Sequence, residues 1–363
     1  MHCIENLARI ALPNDVFMAT IKLYYQMGKN EHYLKLFSSD IEYIMAQNAY
    51  EEARLFFRIF FPSYKVSESR LRSLRLDSTV ARNKGETVVK NTFSVFQLIH
   101  NPKGSHFHLN VTEIHDLARM LFKDVYPPEK IQYQKIERQR HSLITHEIGS
   151  KREYLEQLII KLQETKKLGI YESVFLYLNF MVDMMNMEVF RFPEHDVIAF
   201  LVFYVMMIEE GLIASRYISF FAKLSFNAHE FKTLMEKTKF GWNEGYSEIM
   251  PLARFVLRMY HDTYLELSEF ARDYAYEADL EISKSDYVEN TIDKLPDVFQ
   301  KDDIRRKHPF ISDSTINRTL KRLQDDNKIR PLGKGRSAKW VKLYQKGSKK
   351  PSAQQLNLDL EDI

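Results

Sequence analysis

A mainly α-helical chain that ends in a small module with a β-hairpin is what this sequence predicts, on three observations. Glycine is scarce at 11 of 363 residues, about 3 % against a usual ~7 %, which is too little for a strand-and-turn-rich barrel or for a nucleotide fold built on several glycine loops. The apolar inventory is large and flexible, with 25 Phe, 20 Tyr and 14 Met, as an aromatic-rich helical core requires. Apolar positions recur at helical spacing along most of the chain. At 43.1 kDa the chain exceeds one compact core and implies two or three domains. Cys3 is the single cysteine, so a disulfide framework and Cys-based zinc patterns are excluded and a reducing compartment is compatible.

The elements follow in order. Residues 1–60 read as two or three helices, with Leu23, Tyr24, Tyr25, Leu34 and Phe37 as apolar contacts, up to a break at Phe61-Pro-Ser. Glu86 to His100 is amphipathic and stops at the turn signal Asn101-Pro-Lys-Gly. Val111 to Phe122 is a helix, and Tyr126-Pro-Pro-Glu a loop. Glu153–Lys167 and Glu172–Met187 are helices parted by Gly169, and Phe192-Pro-Glu-His-Asp interrupts before the apolar helix Val197–Ile208. That run is twelve residues long and stops at Glu209-Glu210; about twenty are needed to span a bilayer, so it reads as a core helix. No basic region followed by an apolar stretch opens the chain, so a cytoplasmic protein without membrane contact is expected.

Charge is unevenly placed. Residues 301–350 hold 16 Lys/Arg against 5 Asp/Glu, a balance of +11 in a chain of net charge +3, so the remainder carries −8. Such a block is the footprint of phosphate contact. It is also patterned. Ser283 to Leu295 has one apolar helical face of Tyr287, Val288, Ile292 and Leu295, Gln300–His308 is a short polar helix ended by Pro309, and a third helix runs from Asp313 with Ile316, Leu320 and Leu323 inward. Its N-cap is Asp313 or Ser312. Residues 328–344 read as two strands around a basic turn containing Gly333. This is the layout of a winged helix-turn-helix over residues 281–346, followed by a tail, 347–363, in which Leu356, Leu358 and Leu360 form a candidate docking segment. Its recognition helix would present Ser314, Thr315, Asn317, Arg318 and Lys321 to double-stranded DNA, and Lys334 and Arg336 at the wing tip would reach phosphates or a minor groove. Winged helices also bind proteins, so a protein partner or a second copy of the chain is left open beside DNA.

The stretch after Val197 resembles the second half of a Fic (Fido) domain. The residues that carry this are Glu209-Glu-Gly-Leu-Ile, the tyrosine-containing stretch to Phe221, the helix through Phe231 and Leu234, Phe240-Gly-Trp-Asn-Glu-Gly-Tyr, and Met250-Pro-Leu-Ala-Arg-Phe-Val-Leu. In that family a helix ending in Gly-Leu leads to a strand-like segment and two further helices, and a Trp-centred loop precedes a further helix start. Gly333-Lys-Gly-Arg is similar to the family's wing. The resemblance covers about residues 105–346. It implies a N-terminal helical region over 1–100 and a Fic-like helical core over 101–280.

The family's loop, H-P-F-x-x-G-N-G-R-x-x-R, supplies a histidine as general base and a phosphate cradle at a helix N-terminus. Counting back from Gly211-Leu212 places the base at Val189, the cradle at Glu194, His195, Asp196 and Val197, and the last arginine at Phe200. Two carboxylates would face the nucleotide phosphates, a repulsion of a few kcal/mol, and Phe200 cannot make a charge-assisted phosphate contact. His308-Pro-Phe lacks the glycines and arginine and belongs to the helix-turn-helix. The family's regulatory motif, Ser/Thr-x-x-x-Glu-Gly/Asn, has its spacing at Ser78–Asn83 but Arg82 at the acid position. The resemblance therefore implies a catalytically inactive relic with no cofactor.

Other chemistry is thin. His106, His108 and His115 could approach one metal, but surface or packing roles are the commoner account, and no metal is expected. His195 between Glu194 and Asp196 is the sole catalytic candidate, against a capping box for the next helix. Gly-x-Gly-x-x-Gly, Walker, Gly-x-Ser-x-Gly and His-Glu-x-x-His motifs are absent. Three functions are weighed: an inactive Fic-like DNA-binding regulator, an active AMP transferase with its loop rearranged around His195, and a protein-interaction module.

Overall fold

The computed structural model describes residues 3–31, 33–37, 40–76, 78–101, 103–104, 106–136, 150–279, 284–308, 311–333 and 338–343. It divides into two compact units, Met1–Tyr274 and Ala275–Ile363. Lys334, Arg336, Pro309 and the tail 347–363 lie outside the described residues.

The first unit is helical. After a 3-10 turn at Cys3–Arg9 come α1 (Asn14–Asn30), a second 3-10 turn (Tyr33–Phe37), α2 (Ile41–Phe60), α3 (Glu68–Leu74), α4 (Lys84–Ile99), α5 (Val111–Phe122), α6 (Lys151–Lys167), α7 (Ser173–Asn186) and α8 (His195–Glu209). A 3-10 turn at Ile213–Arg216, α9 (Phe220–Phe226), α10 (Ala228–Lys237), a 3-10 turn at Trp242–Glu244 and α11 (Met250–Asp279) follow. Helix starts obey local chemistry: Asn83 caps α4 through Glu86 N, Asn110 caps α5 through Thr112 and Glu113 N, and Glu172 caps α7 through Val174 and Phe175 N. The strand-like segment expected after Leu212 is the 3-10 turn Ile213–Arg216, and the two further helices are α9 and α10.

Every residue of α8 from Val197 to Ile208 is buried. A helix without a polar face must be surrounded; α7 packs along it and α5 against it. Gly211, at φ +99°, lets the chain leave α8 with Leu212 N donating to Met207 O. Near its C-terminal end, α7 buries Asp183, whose carboxylate accepts from Cys3 N (2.7 Å), Ile4 N (3.1 Å) and Trp242 Nε1 (2.9 Å). One carboxylate thus fixes the N-terminal turn and the Trp242 turn to the α7–α8 pair. Burial and Asp183 push the Cys3 thiol up, so it is an inert packing residue.

A second buried carboxyl group, that of Glu52, joins α2, α8 and α9. Glu52 accepts from Tyr204 Oη (2.8 Å) and Phe220 N (3.0 Å) on one oxygen, and from Ser219 Oγ (2.7 Å) and Phe221 N (2.9 Å) on the other. His100 Nε2 lies 3.1 Å from the Tyr204 hydroxyl, which extends the network to α4. Burial pushes Glu52 up to about 8, held from rising further by its donors, and burial with Arg216 nearby pushes His100 down to about 3.

The second unit comprises α12 (Lys284–Lys294), β1 (Val298–Gln300), α13 (Lys301–Lys307), α14 (Asp313–Asp325), β2 (Ile329–Pro331) and β3 (Lys339–Lys342). The antiparallel sheet has the order β1-β3-β2, with Phe299 opposite Trp340 and Arg330 opposite Val341. Two strands were expected and β2 and β3 form them; β1 is an addition. Three residues carry no periodicity to detect. Ile292, Phe299, Ile304, Ile316, Leu320, Leu323 and Trp340 close the core. Ser312, rather than Asp313, caps α14, and Gln300 with Asp303 makes a capping box for α13. His308 is buried, with Nε2 on the Thr291 hydroxyl, as an α12–α13 packing residue.

Candidate functional site

The loop before α8 is closed by aromatic rings. Val189 and Phe190 are fully buried, Phe192 nearly so, and Phe200 lies in the helix core. Phe190 stacks on Tyr133 at 4.8 Å and on Phe192 at 5.2 Å, and Phe192 meets Phe122 at 4.5 Å. Segment 131–135 lies along the loop as a partner strand: Gln134 N donates to Val189 O (2.9 Å), Gln134 Nε2 to Phe190 O (3.0 Å), and Tyr133 bridges Phe190. Lys151 Nζ donates to the carbonyl of Glu188, a residue held at φ 49°. Three successive carbonyls are therefore occupied by residues from outside the loop.

The capping box expected at the start of α8 does not form. Glu194 is the N-cap residue but makes no side-chain cap; its carboxylate accepts from Tyr126 Oη at 2.7 Å. Burial and then Glu194 hold the phenols of Tyr126 and Tyr64 above their ordinary range. Asp196 Oδ1 accepts from Val197 N (2.9 Å). His195 is half-buried with Nδ1 unpartnered, and burial lowers its pKa, so it is a neutral imidazole at pH 7. The cations whose field reaches His195 are Lys151 and Lys239. A neutral imidazole can take a proton, yet among the described residues no carboxylate orients this Nδ1 by a hydrogen bond.

The three candidate metal histidines separate. His106 Nδ1 pairs with Glu209 (2.9 Å), and His115 Nε2 donates to Ile131 O (2.7 Å) within the ring stack of Tyr133 and Phe190. No group of three or more His, Cys, Asp or Glu with metal-holding geometry occurs among the described residues. Arg82, at the acid position of the regulatory spacing, donates its N–H to Glu86, which also takes Arg70 in a two-pronged ion pair.

On α14, Ser314, Asn317, Arg318 and Lys321 are exposed and Thr315 is half-buried. Ser314 and Thr315 share the capping Ser312 hydroxyl (2.8 and 2.9 Å), and Asn317 Oδ1 accepts from Lys301 Nζ (2.5 Å). Arg305 is neutralised by Asp302 and Asp313, and Arg322 and Lys328 by Glu289. Among the described residues Arg318 and Lys321 carry no ion pair, so the two cations one turn apart on the exposed face keep their charge.

Sequence reasoning missed the residues that close the loop, Tyr133, Gln134 and Lys151. A hydrogen bond across 56 residues, as from the Gln134 side-chain amide to the Phe190 carbonyl, leaves no local signal. Glu52 did leave one: it stands on the apolar stripe of Met45, Ala49, Phe56 and Ile59.

No protein-family model matches the sequence, and no curated protein does. Among solved structures the chain is similar to a Fic family protein from Desulfovibrio desulfuricans G20, over 93 % of this chain and 98 % of that one, with a TM-score of 0.52 and 9 % identity. The fold is Fic-like. It is a mainly helical Fic-like fold with a small antiparallel sheet near its C-terminal end; at that identity the likeness speaks for fold alone. No helix among the described residues is long and apolar enough to cross a membrane.

Proposed function

We propose that this chain is a catalytically inactive Fic-like protein that acts as a DNA-binding regulator through a winged helix-turn-helix in its second unit. The observation that carries the first half is the filled loop. The residue at the base position is a buried valine with its carbonyl bound by Gln134, and the cradle positions include Glu194, engaged by Tyr126. An incoming triphosphate would meet Glu194 and Asp196 in place of backbone amides and an arginine, which disfavours anion binding. The second half is supported by the order of α12, α13, α14 and the sheet, and by the unpaired Arg318 and Lys321 on the exposed face of α14. Lys334 and Arg336 enter from the sequence alone.

A second reading, a transferase rearranged around His195, draws on its unpartnered neutral imidazole. Incubation with labelled ATP, magnesium and candidate protein targets separates the two. No covalent nucleotide on target or on the protein itself is expected. Transfer abolished by His195→Ala would install the second reading, and transfer that survives it would defeat both.

A further inference from the structure

We propose that the cleft between α5 and the C-terminal end of α8 is a binding site for a small apolar amino acid. It lies in the first unit at the far end of α8 from the Val189–Val197 loop, about 21 Å along the helix axis, and is independent of the functional reading above. The cleft encloses about 110 Å³ and is walled by Leu98, Leu117, Met120 and Val205. That is small beside the pockets that take drug-sized ligands, and it suits a molecule of amino-acid size.

Three features select the occupant. Arg216 lines the cleft with its side chain only 20 % exposed, and its Nε is buried without a hydrogen-bond partner among the described residues. Its nearest carboxylate, Glu209, stands 4.0 Å from Nη2, beyond hydrogen-bond range, and already accepts from His106 Nδ1 at 2.9 Å. A partly exposed guanidinium that lines the cleft, with its ion-pair partner 4.0 Å away and outside hydrogen-bond range, is completed by a carboxylate offered from the cleft side. Glu113 and Asp116 also line the cleft; Asp116 is 58 % exposed, nearer to solvent than Arg216, with Arg119 Nη1 3.8 Å away and outside hydrogen-bond range. A lone anion would be repelled by three carboxylates, and a lone amine would leave the guanidinium unsatisfied. A zwitterion satisfies both: its carboxylate on Arg216, its ammonium toward Glu113 and Asp116, and an apolar side chain on the wall.

The test is titration calorimetry of the intact protein with L-leucine and L-methionine, and with two truncated forms of leucine: isopentylamine, which lacks the carboxylate, and 4-methylpentanoate, which lacks the amine. Saturable binding of at least one amino acid is expected, with both truncated forms weaker by about tenfold or more. Arg216→Gln should equalise leucine and isopentylamine. Since that change could unsettle the fold, Leu98→Trp fills the cleft from a position 46 % exposed and should abolish binding with the melting temperature nearly unchanged. Absence of saturation by either amino acid up to about 10 mM, equal binding of isopentylamine to the wild-type protein, or binding that survives Leu98→Trp would each overturn the proposal.

Discussion

Replacing Glu52 tests whether the α2–α8–α9 junction is held by one buried carboxyl group. In Glu52→Ala, Phe220 N and Phe221 N lose their acceptor and cannot turn away, while the hydroxyls of Tyr204 and Ser219 can rotate to other partners. Each stranded buried amide costs about 1–3 kcal/mol. Release of the buried carboxyl returns part of this, and the cavity adds to it, so a net loss of about 4 kcal/mol is expected, in the range for breaking a buried ionisable network. Glu52→Gln keeps the shape and one acceptor oxygen, and should lose about half as much. The pH dependence follows from the raised pKa. The folded protein holds a proton on Glu52 up to about 8, whereas the unfolded chain releases it near 4.5, so this stabilisation is complete below 4.5 and declines as pH rises toward 8. His100 acts in the opposite sense, but only below its unfolded value of 6.5, which leaves pH 6.5–8 to Glu52. There stability should fall by up to about 1.4 kcal/mol per pH unit, and the Gln variant should be flat. Urea denaturation followed by Trp242 fluorescence in a Trp340→Phe background reads the first unit. A loss below about 1 kcal/mol in Glu52→Ala, or an unchanged pH slope in Glu52→Gln, would refute the reasoning.

The second unit makes two further predictions. Burial holds His308 down to about 4 against 6.5 when unfolded, so its contribution is complete above 6.5 and is lost as pH falls toward 4, by about 3 kcal/mol in all; an NMR titration in which the His308 ring protonates near 6.5 in the folded state would contradict its burial against Thr291. The fragment 275–363 should fold alone, marginally, with stability of a few kcal/mol, and Trp340→Ala should unfold it by opening a large cavity beside Phe299; circular dichroism of the two fragments decides the matter.

Helices were legible where apolar spacing and a cap coincide. Val111–Phe122 matches its sequence bounds because Asn110 and the apolar repeat both act locally. The apolar run of α8 is likewise its own signal. What stayed hidden is held by distant partners. The third strand is three residues long and exists because β3 offers Phe299 a partner at Trp340. The Glu194-His-Asp stretch reads locally as a capping box, and α8 does start there, but Tyr126, 68 residues away, takes the Glu194 carboxylate and the box does not form. On α14 the spacing separated inward from outward positions, but not the pairing: only the fold shows that Thr315 is spent on the Ser312 cap, that Lys301 engages Asn317, and that Arg318 and Lys321 have no ion-pair partner among the described residues.

The most direct measurement of the central claim is fluorescence anisotropy of the intact protein with labelled duplex DNA over a range of salt concentrations. Binding should weaken steeply as salt rises, because the basic block displaces counterions from phosphates. Arg318→Ala should reduce discrimination between a selected site and random duplex by about 1–3 kcal/mol if its guanidinium reads a guanine. Replacing Lys334 and Arg336 together should weaken all duplexes alike and flatten the salt dependence. Absence of binding to any duplex at low salt, or binding indifferent to all three substitutions, would contradict the account and assign the second unit to a protein partner.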